Sequence, residues 1–140
     1  MNRKLFLTIA AIIAFLVGGL SLLAPDVLLT TVKVAVPNPA ALVMARTVGV
    51  LLLTVGLMGF LIRGHDDSPT MEAFLKANLF LQLALIPIDP LAYMNGTFTT
   101  FGSFVPNTIL HILLAIGFAH HLIKVRKARA VSGVSGARSP

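Results

Sequence analysis

The chain has 140 residues, of which 56% are hydrophobic and only 11% charged, with a formal net charge of +6 and a mean hydropathy of +0.91. A soluble domain of this length cannot cover so much apolar surface, so lipid must cover the remainder and there is no room for a separate soluble domain. The absence of cysteine excludes disulfides, thiol redox chemistry and thiolate metal sites, and the basic residues gather near the ends of apolar segments, which suits anionic lipid headgroups better than nucleic acid.

The first apolar run, 5–24, holds twenty residues without a charge, the length of a membrane-spanning helix. The rival is a cleaved signal peptide. The run is long for one, Ser21-Leu22-Leu23-Ala24 is a poor cleavage site and Pro25 follows directly, so a retained helix is expected. Pro25, Pro37 and Pro39 punctuate the first connection, in which 27–36 is apolar except for Lys33 and is expected to lie along the interface. The second span, 40–62, is interrupted only by Arg46. A polar turn follows at 63–67; Ser68 and Pro69 then read as an N-cap and first helical residue, with Asp66 and Asp67 complementing the positive helix start. Glu72 and Lys76 form an i,i+4 pair.

The third span is expected over 73–94, kinked at its far end by Pro87 and Pro90. The last connection, 95–104, is uncharged and places Phe98, Phe101 and Phe104 at a spacing of three, as in an aromatic interfacial belt. Asn95-Gly96-Thr97 matches a glycosylation sequon, a pattern common by chance. The fourth span is expected over 106–124, continuing helically into Arg129. The small, polar tail 131–140 is expected to be disordered. This gives one four-span domain over 1–130.

The expected fold is all-α: an antiparallel four-helix transmembrane bundle with short loops. Arg3, Lys4, Arg63, Lys76, Lys124, Arg126, Lys127 and Arg129 fall on one side of it and only Lys33 on the other, so the positive-inside rule puts both termini in the cytoplasm. Small residues step by four along span one (Ala10, Ala14, Gly18), span two (Ala45, Gly49) and span four (Ala115, Ala119), which allows close helix approach.

Three ionisable residues interrupt the spans at a common depth. Arg46 lies about six residues, or roughly 9 Å, from the outer start of span two. Asp89 lies comparably far from the outer end of span three and His111 from the outer start of span four. Asn107 is one turn above His111, and Asn78, Gln82 and Asp89 project within about 40° of one another on span three. Charge in hydrocarbon is costly, so the layer reads as a site facing the bundle interior. Asp89 and His111 are its candidate proton-handling, catalytic pair, and Arg46, Asn78, Gln82 and Asn107 its candidate ligand-binding residues. A purely structural alternative stays open: an Arg46–Asp89 ion pair tying two spans, Asn78 and Gln82 as interhelical glue worth ~0.6–2 kcal/mol each, and His111 as a neutral imidazole. His120 and His121 read as interfacial and His65 as a turn residue. A metal held by Asp89, His111 and a third ligand such as Asp26 lacks any close-spaced ligand motif, so no metal site is expected. No P-loop, dinucleotide fingerprint, nucleophile elbow or zincin motif is present.

Span two reads Ala45-Arg46-Thr47-Val48-Gly49-Val50-Leu51-Leu52-Leu53-Thr54-Val55-Gly56-Leu57, after a proline-containing loop and before Arg63 at the membrane edge. This arginine-glycine-glycine pattern resembles the second span of small bacterial DoxX-like four-helix membrane proteins. The histidine in Asn107-Thr108-Ile109-Leu110-His111 is also similar to members of that group. The resemblance covers the layout of most of the chain, matches Arg46 and His111 as positions, and implies a bacterial inner membrane. Some members are linked to quinone-associated oxidoreductases; without cysteine, no thiol-redox role carries over.

The leading expectation is therefore a membrane protein whose outer-leaflet site binds or transforms a small lipophilic or quinone-like molecule. Arg46 would orient a ligand oxygen, Asp89 pair with Arg46, and His111 exchange a proton. The alternatives are a non-catalytic accessory or scaffold subunit and a small proton-coupled transporter, the latter disfavoured because Asp89 lies near one face only. The sequence specifies no cofactor. The partners it fits are the bilayer, a small lipophilic ligand, and a second copy or a membrane partner subunit; nucleic acid is not among them.

Overall fold

Asn2 opens the first helix by accepting the Leu5 N–H at 2.8 Å, and the helix, α1, runs over Arg3–Leu23 until Pro25 ends it. The computed structural model describes residues 1–34 and 38–136, with side chains through Val131. Pro25 starts a short helix, α2 (Pro25–Thr31), where its missing N–H costs nothing. The connection expected to lie flat is thus partly helical; its residues 35–37 lie outside the described ones. Among the described residues, Lys33 at φ 53° and Gly96 at φ 74° are left-handed, and the first and last connections turn back at them.

Asn38 caps α3 (Pro39–Ile62) through the Ala41 N–H at 2.9 Å, and Ser68 caps α4 (Pro69–Leu85) through the Met71 N–H at 3.1 Å, as its position before Pro69 implies. Pro87 removes a helical donor and crowds the carbonyl four residues back, so span three breaks there and resumes as α5 (Ile88–Met94). Pro90 is tolerated because it lies in the first turn of α5. A 3-10 turn at Phe101–Ser103 leads into α6 (Val105–Gly136). Helix continues through residues 131–136, where the sequence led us to expect an unordered tail; Ala128 and Ala130 favour its propagation. Residues 137–140 lie outside the described ones.

Among the described residues, four helices are long and apolar enough to cross a membrane: Arg3–Leu23, Pro39–Ile62, Pro69–Met94 and Val105–Val131. At most 28% of the apolar window of any of them is buried. The outward surface is as apolar as the core, so the environment these helices fit is a lipid bilayer.

The helices pack as two pairs, α1 with α3 and α4 with α6. The first pair meets along a seam of small residues. A Cβ added at Gly49 would fall 2.7 Å from the Leu22 nitrogen and 2.8 Å from the Gly18 carbonyl, so the two backbones touch as only glycine permits. The pairs join around Phe6, whose ring stands edge-on to Phe118 at 4.9 Å and covers Gly117 so closely that a Cβ there would overlap it. Leu7, Met71, Leu75, Leu122 and Val125 complete this core.

Polar ties hold the same end. Arg3 donates to the Asp67 carboxylate and the His65 carbonyl. Glu72 accepts from Arg126 at 2.9 Å and from Arg129, and pairs with Lys76 at 2.8 Å. At the other end the Thr99 hydroxyl donates to the Lys33 carbonyl at 3.3 Å, Val34 bridges to Phe98, and Tyr93 packs on Phe101 and Phe104 at 4.8 and 5.1 Å.

Candidate functional site

The kink at Pro87 turns Asp89 toward the start of α6, where Asn107 and His111 lie one turn apart on the face that packs on α4. Gln82, on the matching face of α4, reaches the same point. Four side chains then join in a line. His111 Nδ1 is 2.7 Å from Gln82 Oε1, His111 Nε2 is 3.3 Å from Asn107 Nδ2, and Asn107 Nδ2 donates to Asp89 Oδ2 at 2.6 Å.

The order of donors and acceptors fixes the tautomer. Gln82 Oε1 only accepts, so Nδ1 carries the hydrogen; Nε2 then presents a lone pair to one Asn107 N–H while the other N–H meets the carboxylate. Protonating Nε2 would set two donors against each other. Asn107 would have to turn its oxygen toward the ring, and Asp89 would lose its donor. Proton uptake at His111 is thereby coupled to the orientation of Asn107.

Exposure along the line is greatest at Asn107. Gln82 is 7% exposed, His111 and Asp89 are half-buried, and Asn107 is exposed. The Thr108 hydroxyl, on the next residue, is buried with no hydrogen-bond partner among the described residues.

The structure thus brings together Gln82, Asp89, Asn107 and His111 and leaves out two expected members. Asn78 is buried on the same face of α4 but donates to the Phe74 carbonyl of its own helix at 3.0 Å. Arg46 is exposed and makes no ion pair or hydrogen bond among the described residues, so the expected Arg46–Asp89 pair does not form. The cause is helix rotation. Gly49 and Gly56 of α3 face α1, and Gly59 faces Phe74 of α4; at 3.6 residues per turn, Arg46 projects about 140° from Gly59. The residue count from the span ends does not carry the direction in which a side chain points.

Sequence reasoning missed two other residues. His121, expected at the interface, is 4% exposed and lies against Phe6 at 5.0 Å. Its signal was its place beside the apolar line Phe118, Leu122 and Val125. Glu72 takes Arg126 and Arg129 besides the expected Lys76; the spacing of three between those arginines puts both on one helix face. Asp26 is exposed on α2, and among the described residues no three His, Asp or Glu side chains converge as a metal site would require. No family model matches the chain, and neither curated proteins nor solved structures give a match.

Proposed function

We propose that the chain is an antiparallel four-span protein of a bacterial inner membrane, both termini cytoplasmic, that binds a small lipophilic, quinone-like molecule in its outer leaflet. The observation that carries this reading is the hydrogen-bonded line from buried Gln82 through His111 and Asn107 to Asp89. A line of polar groups in an apolar layer, with an exposed amide within it, is what a ligand with one or two carbonyl oxygens requires. Asn107 donates to the ligand oxygen, His111 is the group that exchanges a proton with it, Asp89 holds Asn107 in position, and Gln82 fixes the imidazole tautomer. The quinone class comes from the likeness of span two and of the His111 segment to DoxX-like proteins. Orientation follows from the excess of Lys and Arg at the end where Arg3, Asp67, Glu72, Arg126 and Arg129 meet. Arg46 takes no part in ligand contact; about one and a half helical turns from the headgroups, it snorkels to lipid phosphate.

The test is equilibrium dialysis of a short-chain benzoquinone against detergent-purified protein. Saturable binding is expected, weakened about tenfold by each of His111→Phe, Asp89→Asn and Asn107→Leu, the loss of one good hydrogen bond to a desolvated ligand. Unchanged binding in all three, with helical content intact, overturns it.

One observation favours a second reading. The four side chains satisfy one another without a ligand and join α4, α5 and α6. In an accessory subunit that clasp would be the whole role. Asp89→Asn would then lower thermal stability in detergent and leave every binding assay unchanged.

A further inference from the structure

At the basic end, the first turn of α1 and the stretch of α6 from His121 to Val125 border a half-open cavity of about 240 Å³, remote from the polar line of Gln82, His111, Asn107 and Asp89. Asn2, Arg3, Asp67, His121, Lys124 and Val125 line it. Arg3 and Asp67 pair with each other, so Asp67 adds no uncompensated negative charge. Lys124 makes no ion pair among the described residues.

His121 is the telling member. It is 4% exposed and makes ring contacts with Phe6 and His120, yet neither ring nitrogen has a hydrogen-bond partner among the described residues. The ring is packed, but its nitrogens are not among the fully buried unpartnered atoms, so they stay open to the cavity that His121 lines, which is large enough for a partner. The surroundings state the sign of that partner: eight of the chain's eleven Lys and Arg residues fall in the segments that meet here, against three of its five carboxylates. An oxyanion accepts from imidazole N–H and from ammonium, and basic pockets between membrane helices suit phosphorylated headgroups.

We propose that this cavity is a binding site for a phosphate-bearing anion, held by His121 and Lys124 with Arg3 at its edge. The chemistry is shared by an anionic phospholipid headgroup and by soluble phosphate.

Native mass spectrometry of the detergent-purified full chain tests it, with dioleoyl phosphatidylglycerol and dioleoyl phosphatidylcholine as probes. Phosphatidylglycerol binds at least about tenfold tighter than phosphatidylcholine, and Lys124→Gln removes about tenfold of that affinity, the worth of one charge-assisted contact. His121→Phe keeps the ring against Phe6 and loses binding, whereas His121→Gln, which can still donate, retains it. Lys127→Gln, one residue beyond the adjacent arginine but outside the cavity lining, changes affinity less than about twofold. Sodium phosphate is the second arm: displacement of the lipid by it, with the same pattern across variants, assigns the site to a soluble anion, and no displacement assigns it to the headgroup. No preference between the two lipids, or a loss in Lys127→Gln equal to that in Lys124→Gln, means diffuse surface charge and overturns the proposal.

Discussion

The two ends of this bundle are built differently. At the basic end Phe6, Phe118, Leu122 and Val125 close over Met71 and Leu75 with almost no exposed surface, and Glu72 gathers three cations. At the opposite end the polar line of Gln82, His111, Asn107 and Asp89 replaces an apolar core. The change shows along one face of α1, where exposure rises from 5% at Phe6 to 37% at Val17 and 39% at Leu20. The helix pairs are fastened at one end and less covered at the other. The fastened end sets the fold; the less covered end leaves apolar surface beside hydrogen-bonding groups, the combination a lipophilic ligand needs.

The largest effect should come from unfastening the packed end. Phe6→Ala removes the ring that joins the two helix pairs and should cost about 3–5 kcal/mol, as large-to-small core substitutions do. Unfolding in detergent by added sodium dodecyl sulfate measures it. Benzoquinone affinity of the folded fraction should not change; a parallel loss would mean that the two ends are one unit. Next is the seam between α1 and α3. Gly49→Ala forces a Cβ against two backbone groups, neither of which can swing aside as a side chain would. It should cost about 1–3 kcal/mol, the range for overpacking, again without moving ligand affinity.

At the other end the effects reverse in kind. His111→Phe leaves the Gln82 amide oxygen buried without a donor, which should cost about 1 kcal/mol. Adding Gln82→Leu should recover most of that stability, because replacing both partners by apolar groups leaves nothing unsatisfied. Ligand binding should stay lost in the double variant. Stability and binding would then separate at this end, as they must if the line serves a ligand; recovery of neither would point to a distorted helix contact instead.

Much of this architecture was legible in the chain. Hydropathy along the sequence marks four spans, Ser68-Pro69 marks a helix start, and Pro87 marks a break, because each is a local property of chain chemistry. Depth was legible too: Asp89 and His111 share a layer simply by counting residues from the ends of their spans. Azimuth was not. Whether a residue faces the bundle or the lipid depends on which helices pair, and that is decided by contacts between distant segments, such as Gly18 with Gly49 or Phe6 with Gly117. Asn78 and Gln82 were placed correctly on one face of α4, yet only Gln82 finds a partner on α6. His121 was read as interfacial because a histidine near a helix end usually is; its burial follows from Phe6, which sequence spacing does not connect to it.

Arg46 gives the smallest expected effect and the sharpest test of direction against depth. Residue counting expects it in one layer with Asp89, and it projects about 140° from the residue of α3 that faces α4. If direction governs, Arg46→Gln changes unfolding free energy by less than ~0.5 kcal/mol, as surface substitutions do, and leaves benzoquinone affinity as it was. If the guanidinium instead reached the carboxylate, removing it would strand a charge in the apolar layer and weaken both stability and binding. Dialysis of Arg46→Gln separates the two. Unchanged affinity keeps the site on α4, α5 and α6. A loss as large as that of Asp89→Asn would place Arg46 back in the site and require α3 to rotate toward α5.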